Sequence, residues 1–329
     1  MLKFYNFVND MFTLKKKKNR PFVILQLTDL QVIDPRQKCA PDRLNDEETK
    51  LFEDFDGCAF NQVRKLVKMV KPDWIIHTGD QIYGEFDGNG SAFKKVVKLM
   101  ESFRIPWSFV NGNHDGEVTM KWNGKMYHCG KGYPWQTEYI KKHTKYCLHE
   151  AGNKRMGFGN YYIRLKEGNK TVWSFIMMDT HGVRDFENAG INQYQIKWLK
   201  GVFNKLNSNC FMFYHIPNYE FKLASQKYYG DEICTITTDG SKNQRGDFGE
   251  NKERLCLFQN ETFWNTLKEP GTVKAIFVGH DHVNTSSIEY EGIRLTYGVK
   301  VGIYDYHDQQ GANKITINDD GYDIEQILL

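Results

Sequence analysis

Six short apolar runs recur along the chain, and each ends at or just before a glycine or a polar residue. They read FVILQLT from Phe22, WIIHTG from Trp74, WSFVNG from Trp107, VWSFIMM from Val172, CFMFYH from Cys210 and VKAIFVG from Val273. Continuous apolar runs of this length are typical of strands that are buried on both faces. The pattern therefore predicts an α/β protein with these six runs as interior strands.

Helical patterns lie between several of the predicted strands. Apolar residues recur every three or four positions within 60–70, 93–103 and 196–206, and Pro72 and Pro106 follow the first two segments. Proline commonly lies just beyond the end of a helix. Alternating strands and helices imply crossover connections and a largely parallel sheet.

Turn sequences in the second half of the chain add antiparallel strands to this picture. KEGNK at Lys166, YEGI at Tyr290 and NDDGY at Asn318 are hairpin signals, so we expect mixed sheets. The stretch from Phe221 to Asn260 has weak periodicity and many polar residues, which indicates a long functional or mobile loop.

Composition and charge bear on the class of protein and on its compartment, but they exclude few functions. The chain has 329 residues, 40% of them hydrophobic and 26% charged, which is ordinary for a soluble globular protein. A net charge of +3 gives no signal for nucleic-acid binding. No apolar run reaches the about 18 residues that a membrane span needs. The N-terminus does not resemble a secretory signal, which favours the cytoplasm.

We divide the chain into an N-terminal arm at 1–20 and a single domain at 21–329. Phe4, Phe7, Val8 and Met11 fall on one face of a helical pattern, and the basic run Lys15 to Lys18 follows. We interpret the segment as a packing arm with a solvated charge run. Weak contact with an anionic membrane surface is the alternative. Oligomeric state is not encoded in any pattern that we find.

The candidate chemistry follows the predicted strands. Glycines at 79, 112 and 279 give the backbone room to turn beside a ligand. In α/β sheets the carboxyl ends of strands form the ligand crevice. Potential metal or phosphate ligands follow five of the strands: Asp29 and Gln31, Asp80, Asn113 with His114 and Asp115, His215, and His280 with His282. Any one of these residues alone is a weak signal, whereas their joint occurrence in one chain is strong.

This set resembles the calcineurin-like metallophosphoesterases, and it looks closest to the branch of purple acid phosphatases and their plant and fungal relatives. FGNYYI, YHIPNYEF, VKAIFVGHDHVN and YGVKVGIYDY are similar to landmarks of that branch, and the resemblance runs from about Phe22 to Tyr306. It implies a four-layer sandwich of two mixed sheets flanked by helices. It also implies two metal ions as cofactors.

The resemblance assigns a role to each residue. Asp29 and His282 would bind the first metal, and Asp80 would bridge both metals. Asn113, His215 and His280 would bind the second. His114 would contact the phosphate and protonate the leaving oxygen, with Asp115 as its orienting partner.

Gln31 departs from the family, where many relatives have histidine. GDQIY resembles the GDxxY pattern in which the tyrosine binds the first metal, so Tyr83 is the candidate replacement. A tyrosinate keeps the same net charge if the first metal is trivalent, which favours Fe(III) with Fe(II), Zn(II) or Mn(II). The alternative is that Tyr83 only packs, that Gln31 binds through its amide oxygen, and that both ions are divalent manganese, zinc or iron.

The implied function is hydrolysis of a phosphate ester, with a metal-bound hydroxide as the nucleophile and a phosphomonoester as substrate. A phosphodiesterase on nucleotides or lipids, a serine/threonine protein phosphatase, and a non-catalytic scaffold of the same fold are the alternatives. Further substrate contacts are predicted at His181, Tyr219, Lys300 and Tyr304. A disulfide between Cys39 and Cys58 is conceivable, since these two cysteines fall in one long polar stretch.

Overall fold

The computed structural model describes residues 12–34, 46–128, 130–182, 189–229, 257–282, 284–302 and 309–329. The strands in these ranges are β1 (Phe12–Lys15), β2 (Phe22–Leu27), β3 (Trp74–Thr78), β4 (Trp107–Val110), β5 (Thr119–Trp122), β6 (Lys125–His128), β7 (Tyr161–Glu167), β8 (Lys170–Met177), β9 (Asn209–Phe213), β10 (Val273–Val278), β11 (Ser287–Tyr290), β12 (Ile293–Tyr297), β13 (Gly311–Ile317) and β14 (Tyr322–Leu328). The helices are α1 (Asp46–Val70), α2 (Ser91–Ser102), α3 (Gly132–His143), α4 (Gln193–Phe203), α5 (Glu220–Tyr229) and α6 (Glu261–Lys268).

Two mixed sheets form the centre of the molecule. In one, the strand order is β14-β13-β2-β3-β4; in the other it is β1-β7-β8-β9-β10-β12-β11. β2, β3 and β4 run parallel to one another, and so do β8, β9, β10 and β12. All six apolar runs are therefore strands, and the parallel core with added hairpins is confirmed.

Apolar side chains join the layers into a four-layer sandwich. Trp74 of one sheet stacks on Phe175 of the other with ring centroids 4.8 Å apart, and both rings are fully buried. Helices α1 and α2 cover the outer face of the five-stranded sheet. Helices α4, α5 and α6 cover the outer face of the seven-stranded sheet. The predicted architecture is confirmed. Because Trp74 is fully buried between the sheets, Trp74→Ala should lower the free energy of unfolding by about 3–5 kcal/mol.

All three predicted hairpins form between antiparallel neighbours. β7 pairs with β8, β11 with β12, and β13 with β14. A fourth hairpin, β5–β6, belongs to neither large sheet and follows the loop that carries His114.

The N-terminal segment differs from the sequence-based expectation. β1 pairs in parallel with β7, so residues 12–15 are part of the larger sheet although they lie within the predicted arm. Lys16 next to it is buried and binds Glu167 at 2.7 Å and Asp319 at 2.6 Å, so this member of the basic run is not solvated. The helical face proposed for Phe4 to Met11 lies outside the described residues.

The predicted long loop from Phe221 begins as a helix. Residues 220–229 form α5, in which Phe221 and Ala224 pack in the core. Polar residues interrupt the apolar periodicity in this segment, so the sequence pattern did not predict this short helix. Residues 230–256 lie outside the described part of the chain, as does Cys39, so the disulfide between Cys39 and Cys58 stays a prediction. Within the described residues, no helix combines the length and apolarity that crossing a membrane requires.

Candidate metal centre

The predicted ligands come together at the carboxyl ends of five strands. Asp29 follows β2, Asp80 follows β3 and Asn113 follows β4, all in the five-stranded sheet. His215 follows β9, and His280 and His282 follow β10, in the seven-stranded sheet. The site thus lies where the ends of the two sheets meet.

One group of ligands surrounds Asn113, His215 and His280, which we call the His215 half. Nε2 of His215 lies 3.1 Å from Oδ2 of Asp80 and 3.0 Å from Oδ1 of Asn113. Nδ1 of His280 lies 2.9 Å from the same Asn113 oxygen. The Nδ1 of His215 faces the carbonyl oxygen of Thr78 at 2.8 Å. Because a carbonyl only accepts, Nδ1 carries a proton, and Nε2 is the atom available to a metal.

The second group is formed by Asp29 and His282, with Gln31 and Tyr83 nearby in sequence, and we call it the Asp29 half. Nε2 of His282 lies 3.3 Å from Oδ1 of Asp29. The hydroxyl of Thr28 donates to Oδ2 of Asp29 at 2.6 Å. The backbone N–H of His280 also donates to this carboxylate, which ties the two strand ends together.

Asp80 belongs to both halves. The ligand atoms of Asp80, His215 and His280 all lie within 4.8 Å of one another, and so do those of Asp29, Asp80 and His282. Crowding carboxylate oxygens, an amide oxygen and imidazole nitrogens this closely fits the ligand chemistry of divalent or trivalent metal ions. The residues therefore fit a dinuclear centre in which one carboxylate is shared.

The backbone at the strand ends is held in an unusual conformation. Asp29, Gln31, Asp80 and His280 have φ values of 51°, 47°, 55° and 77°. Left-handed φ at residues other than glycine costs about 1–3 kcal/mol each and is concentrated at functional sites. Strain at these four residues, which follow the three strands β2, β3 and β10, is consistent with a functional site.

Two glycines are required by this close approach. A Cβ at Gly79 would collide with the ring of His215, and a Cβ at Gly112 would collide with Asp80. Gly79 also has φ of 94°, which side-chain-bearing residues rarely adopt. The prediction that these glycines give room beside the ligands is confirmed for both positions.

Asp115 holds the loops of the site rather than the ring of His114. Its Oδ2 accepts the backbone N–H groups of Asp80 and Gly112, each at 2.9 Å. Its Oδ1 accepts those of Gln81 and Ile82 at 2.9 and 3.1 Å. Burial and the nearby Asp80 raise the pKa of Asp115 to about 7, against these donors. Both oxygens are engaged by backbone, so the expectation that Asp115 orients His114 requires correction.

The carboxylate beside the His114 ring is Glu117. Its Oε1 lies 3.0 Å from Nδ1 of His114. The two residues are three positions apart around a single turn of 3₁₀-helix over 114–116. Sequence reasoning passed over Glu117, although the spacing of three residues in HDGE was a usable signal.

The histidines of the site have strongly perturbed pKa values. Burial opposes protonation of His215, but Asp80 raises its pKa to about 9. Burial and the proximity of His215 lower the pKa of His280 to about 3. Burial would raise the pKa of Asp80, yet His215 and His114 lower it below its ordinary value. A proton beside the Asp80 carboxylate is therefore favoured on His215 and disfavoured on His280.

Gln31 and Tyr83 are both close to the centre. Gln31 is buried, its backbone N–H donates to the Asp80 carbonyl at 2.9 Å, and its side-chain Nε2 has no hydrogen-bond partner among the described residues. The Tyr83 ring packs against the ring of His114, with centroids 4.3 Å apart. Which of the two completes the Asp29 half stays a prediction.

Of the predicted substrate residues, His181, Tyr219 and Lys300 belong to the described part of the chain. The backbone N–H groups of Val301 and Gly302 donate to the carbonyls of Thr28 and Asp29, which brings buried Lys300 beside the Asp29 half. His181 contacts the carbonyl of Gly190 at 2.9 Å, and Tyr219 lies under the ammonium of Lys222. Tyr304 lies outside the described residues. Their roles in substrate binding stay predictions.

Comparison with known proteins agrees with the class that this fold and site define. The model of the calcineurin-like phosphoesterase family matches residues 22–284. The chain belongs to the calcineurin-like phosphoesterase family.

The chain is similar to proteins named as a purple acid phosphatase and as a phosphatase. "Probable inactive purple acid phosphatase 29" of Arabidopsis thaliana is 27% identical over 308 residues, covering 89% of this chain and 75% of the relative. "Phosphatase DCR2" of Saccharomyces cerevisiae is 25% identical over 286 residues, covering 82% of this chain and 46% of the relative.

Solved structures share the fold at low sequence identity. A dimetal phosphatase from Danio rerio superposes with a TM-score of 0.56 at 13% identity, covering 93% of this chain and 98% of that chain. GAP50, described as the anchor in the inner membrane complex of Plasmodium, superposes with a TM-score of 0.51 at 14% identity, covering 94% and 84%.

Proposed function

We propose that the protein hydrolyses phosphomonoesters at a dinuclear metal centre. The observation that carries the proposal is the position of Asp80 in both groups of ligand atoms. A carboxylate shared by two clusters of imidazole and carboxylate ligands fits a two-metal site. Family membership supports the coarser statement, a metal-dependent phosphoesterase.

The residues divide the work as follows. Asp29 and His282 would hold one ion, Asn113, His215 and His280 would hold the other, and Asp80 would contribute to both. When bound, the ion pair supplies an activated water and offsets the negative charge of the phosphate. If Tyr83 completes the Asp29 half, the first ion is Fe(III) and the second is Fe(II), Zn(II) or Mn(II). If Gln31 completes it, both ions are divalent.

His114 supplies the proton for the leaving oxygen. Its backbone N–H donates to Oδ1 of Asp80 at 2.9 Å, which places His114 directly beside the candidate metal centre. Its side chain is 24% exposed, so a substrate can reach it. Glu117 and Asp80 outweigh burial and raise the pKa of His114 to about 9, which keeps the ring protonated at neutral pH before the site is loaded with metal.

A non-catalytic scaffold is the second candidate. The Arabidopsis relative bears the word inactive in its name, and GAP50 is described as an anchor. Gln31, where many family members have histidine, points the same way. Against it, Asp29, Asp80, Asn113 and the three ligand histidines are all present and in contact, which a scaffold does not need.

Metal analysis combined with a substrate pair tests the proposal. Purified protein should contain about two ions per chain, by the shared-carboxylate argument. It should hydrolyse p-nitrophenyl phosphate faster than bis-p-nitrophenyl phosphate. A preference for the diester would favour the phosphodiesterase alternative, and activity on phosphopeptides alone would favour a protein phosphatase. Two bound ions with no hydrolysis of any ester would favour the scaffold.

A further inference from the structure

Two carboxylates follow His114 closely in sequence, and the structure gives them different tasks. Both oxygens of Asp115 accept backbone N–H groups, three from the loop after β3 and one from Gly112 in its own loop. Glu117 directs Oε1 to Nδ1 of the His114 ring at 3.0 Å. Only the second contact reaches the imidazole.

The environment of Glu117 favours that contact over any exchange with solvent. Its side chain is 13% exposed, and its other oxygen, Oε2, is buried without a hydrogen-bond partner among the described residues. A buried carboxylate with one unsatisfied oxygen is costly, so the N–H donor that it does have is strongly held. The contact is therefore a fixed feature of the site rather than a surface ion pair.

Three contacts together fix the orientation of His114. Oε1 of Glu117 engages Nδ1, the Tyr83 ring packs against the imidazole at a centroid distance of 4.3 Å, and Asp80 binds the backbone N–H at 2.9 Å. With Nδ1 engaged, Nε2 is the ring nitrogen left to meet a substrate. A carboxylate partner keeps a proton on Nδ1, both when the ring carries two protons and after Nε2 has lost its own.

We propose that Glu117 is the positioning residue for proton transfer by His114. It accepts the Nδ1–H of the ring and so directs Nε2–H toward the leaving oxygen of the ester. As the bond from phosphorus to that oxygen breaks, Nε2 gives its proton to the oxygen. The water whose oxygen forms the new bond to phosphorus releases a proton that restores the ring. The inference rests on the proposed function.

Leaving groups of different basicity separate this role from a general structural one. An alkoxide needs the proton as the bond breaks, whereas p-nitrophenolate leaves without it. Glu117→Ala should therefore lower kcat for glycerol phosphate by about 10²-fold or more, within the range of proton-transfer catalysis. For p-nitrophenyl phosphate, kcat should change only a few-fold, and KM for both substrates should hardly change.

Matched variants complete the experiment. Glu117→Gln keeps an acceptor oxygen for Nδ1–H and should recover part of the loss with glycerol phosphate. His114→Asn should show the same leaving-group dependence as Glu117→Ala. Glu138→Ala removes an exposed glutamate on α3 and should match the wild type with both substrates. Metal content should stay the same in all four proteins. Equal losses of kcat with both leaving groups in Glu117→Ala, or no loss with either, would overturn the inference.

A second measurement keeps the inference separable from the proposed function. In zinc-loaded protein, the Nδ1–H proton of His114 should give a downfield resonance that disappears in His114→Asn and Glu117→Ala and persists in Glu117→Gln. If this resonance is present but no ester is hydrolysed, the proposed function fails while the contact stands, and the role in proton transfer is overturned. If it is absent from the wild type, the positioning role itself fails.

Discussion

Asp80 joins two halves of the candidate centre, and they differ in how completely their ligands are provided. In the His215 half, one amide oxygen and two imidazoles lie within 3.1 Å of one another or of Asp80, and the tautomer of His215 is set by the Thr78 carbonyl. In the Asp29 half, one carboxylate and one imidazole lie 3.3 Å apart, and the remaining position depends on Gln31 or Tyr83.

This difference teaches which half controls metal identity. The His215 half presents a conventional set of nitrogen and oxygen ligands, which several divalent metals satisfy. The third ligand of the Asp29 half is either the amide oxygen of Gln31 or the phenolate of Tyr83, and this choice decides whether a trivalent ion is favoured. Variants of the two halves should therefore respond differently, and the shared residue should affect both.

The largest effect should come from Asp80→Ala. It removes the carboxylate common to both halves and leaves His215 without its partner, so metal content should fall well below two ions per chain. Transition-state stabilisation worth several kcal/mol should be lost, which is about 10³-fold or more in rate. Elemental analysis and kcat/KM for p-nitrophenyl phosphate measure both outcomes. Retention of two ions would show that Asp80 is not a bridge.

A matched pair of histidine variants should divide the centre. His215→Ala should remove the ion of its own half and His282→Ala the other, so each protein should keep about one ion and lose most activity, because both ions act on the phosphate. Elemental analysis after gel filtration, with competition by a chelator, makes the comparison. If either variant loses both ions, the halves do not bind independently.

Tyr83→Phe should sharpen the comparison by identifying the third ligand of the Asp29 half. If the phenolate binds Fe(III), iron-loaded wild type absorbs visible light through charge transfer, and the variant does not. Activity should fall about 10–100-fold, as for a weakened metal site. Gln31→His should restore metal content in the Tyr83→Phe background.

Tyr194→Phe, a change at an exposed tyrosine on α4, is the control for that experiment. It should leave the spectrum and the metal content unaltered. An unchanged spectrum and metal content in Tyr83→Phe would instead mean that Tyr83 only packs and that Gln31 occupies the position.

The smallest effect should come from Thr28→Val. The change removes the 2.6 Å hydrogen bond to Oδ2 of Asp29 while preserving side-chain shape. Affinity for the ion of the Asp29 half should fall about 10-fold, at the lower end of effects from groups that orient metal ligands. Chelator titration should show no change for the His215 half. Thr266→Val, which removes a buried hydroxyl inside α6, should change neither affinity.

The sequence by itself determined six interior strands, three helices, three hairpins and the candidate ligands. Burial of both strand faces requires continuous apolar runs, and a turn that brings a ligand to a strand end requires particular residues such as Gly79 and Asp80. These are local requirements, so they are written in local patterns. The family resemblance followed from the same strand-end residues, and the match to the family over 22–284 confirmed it.

Only the tertiary structure decided which groups meet. Asp115 and Glu117 are both carboxylates close to His114 in sequence, and the path of the neighbouring loops gives one to backbone N–H groups and the other to the ring. The sequence predicted residues 12–15 to belong to an arm, whereas in the structure they pair with β7. It predicted Lys16 to be solvated, whereas Lys16 forms ion pairs with Glu167 and Asp319. Such contacts join residues far apart in the chain or compete for one partner, so their outcome depends on how the folded layers close around them.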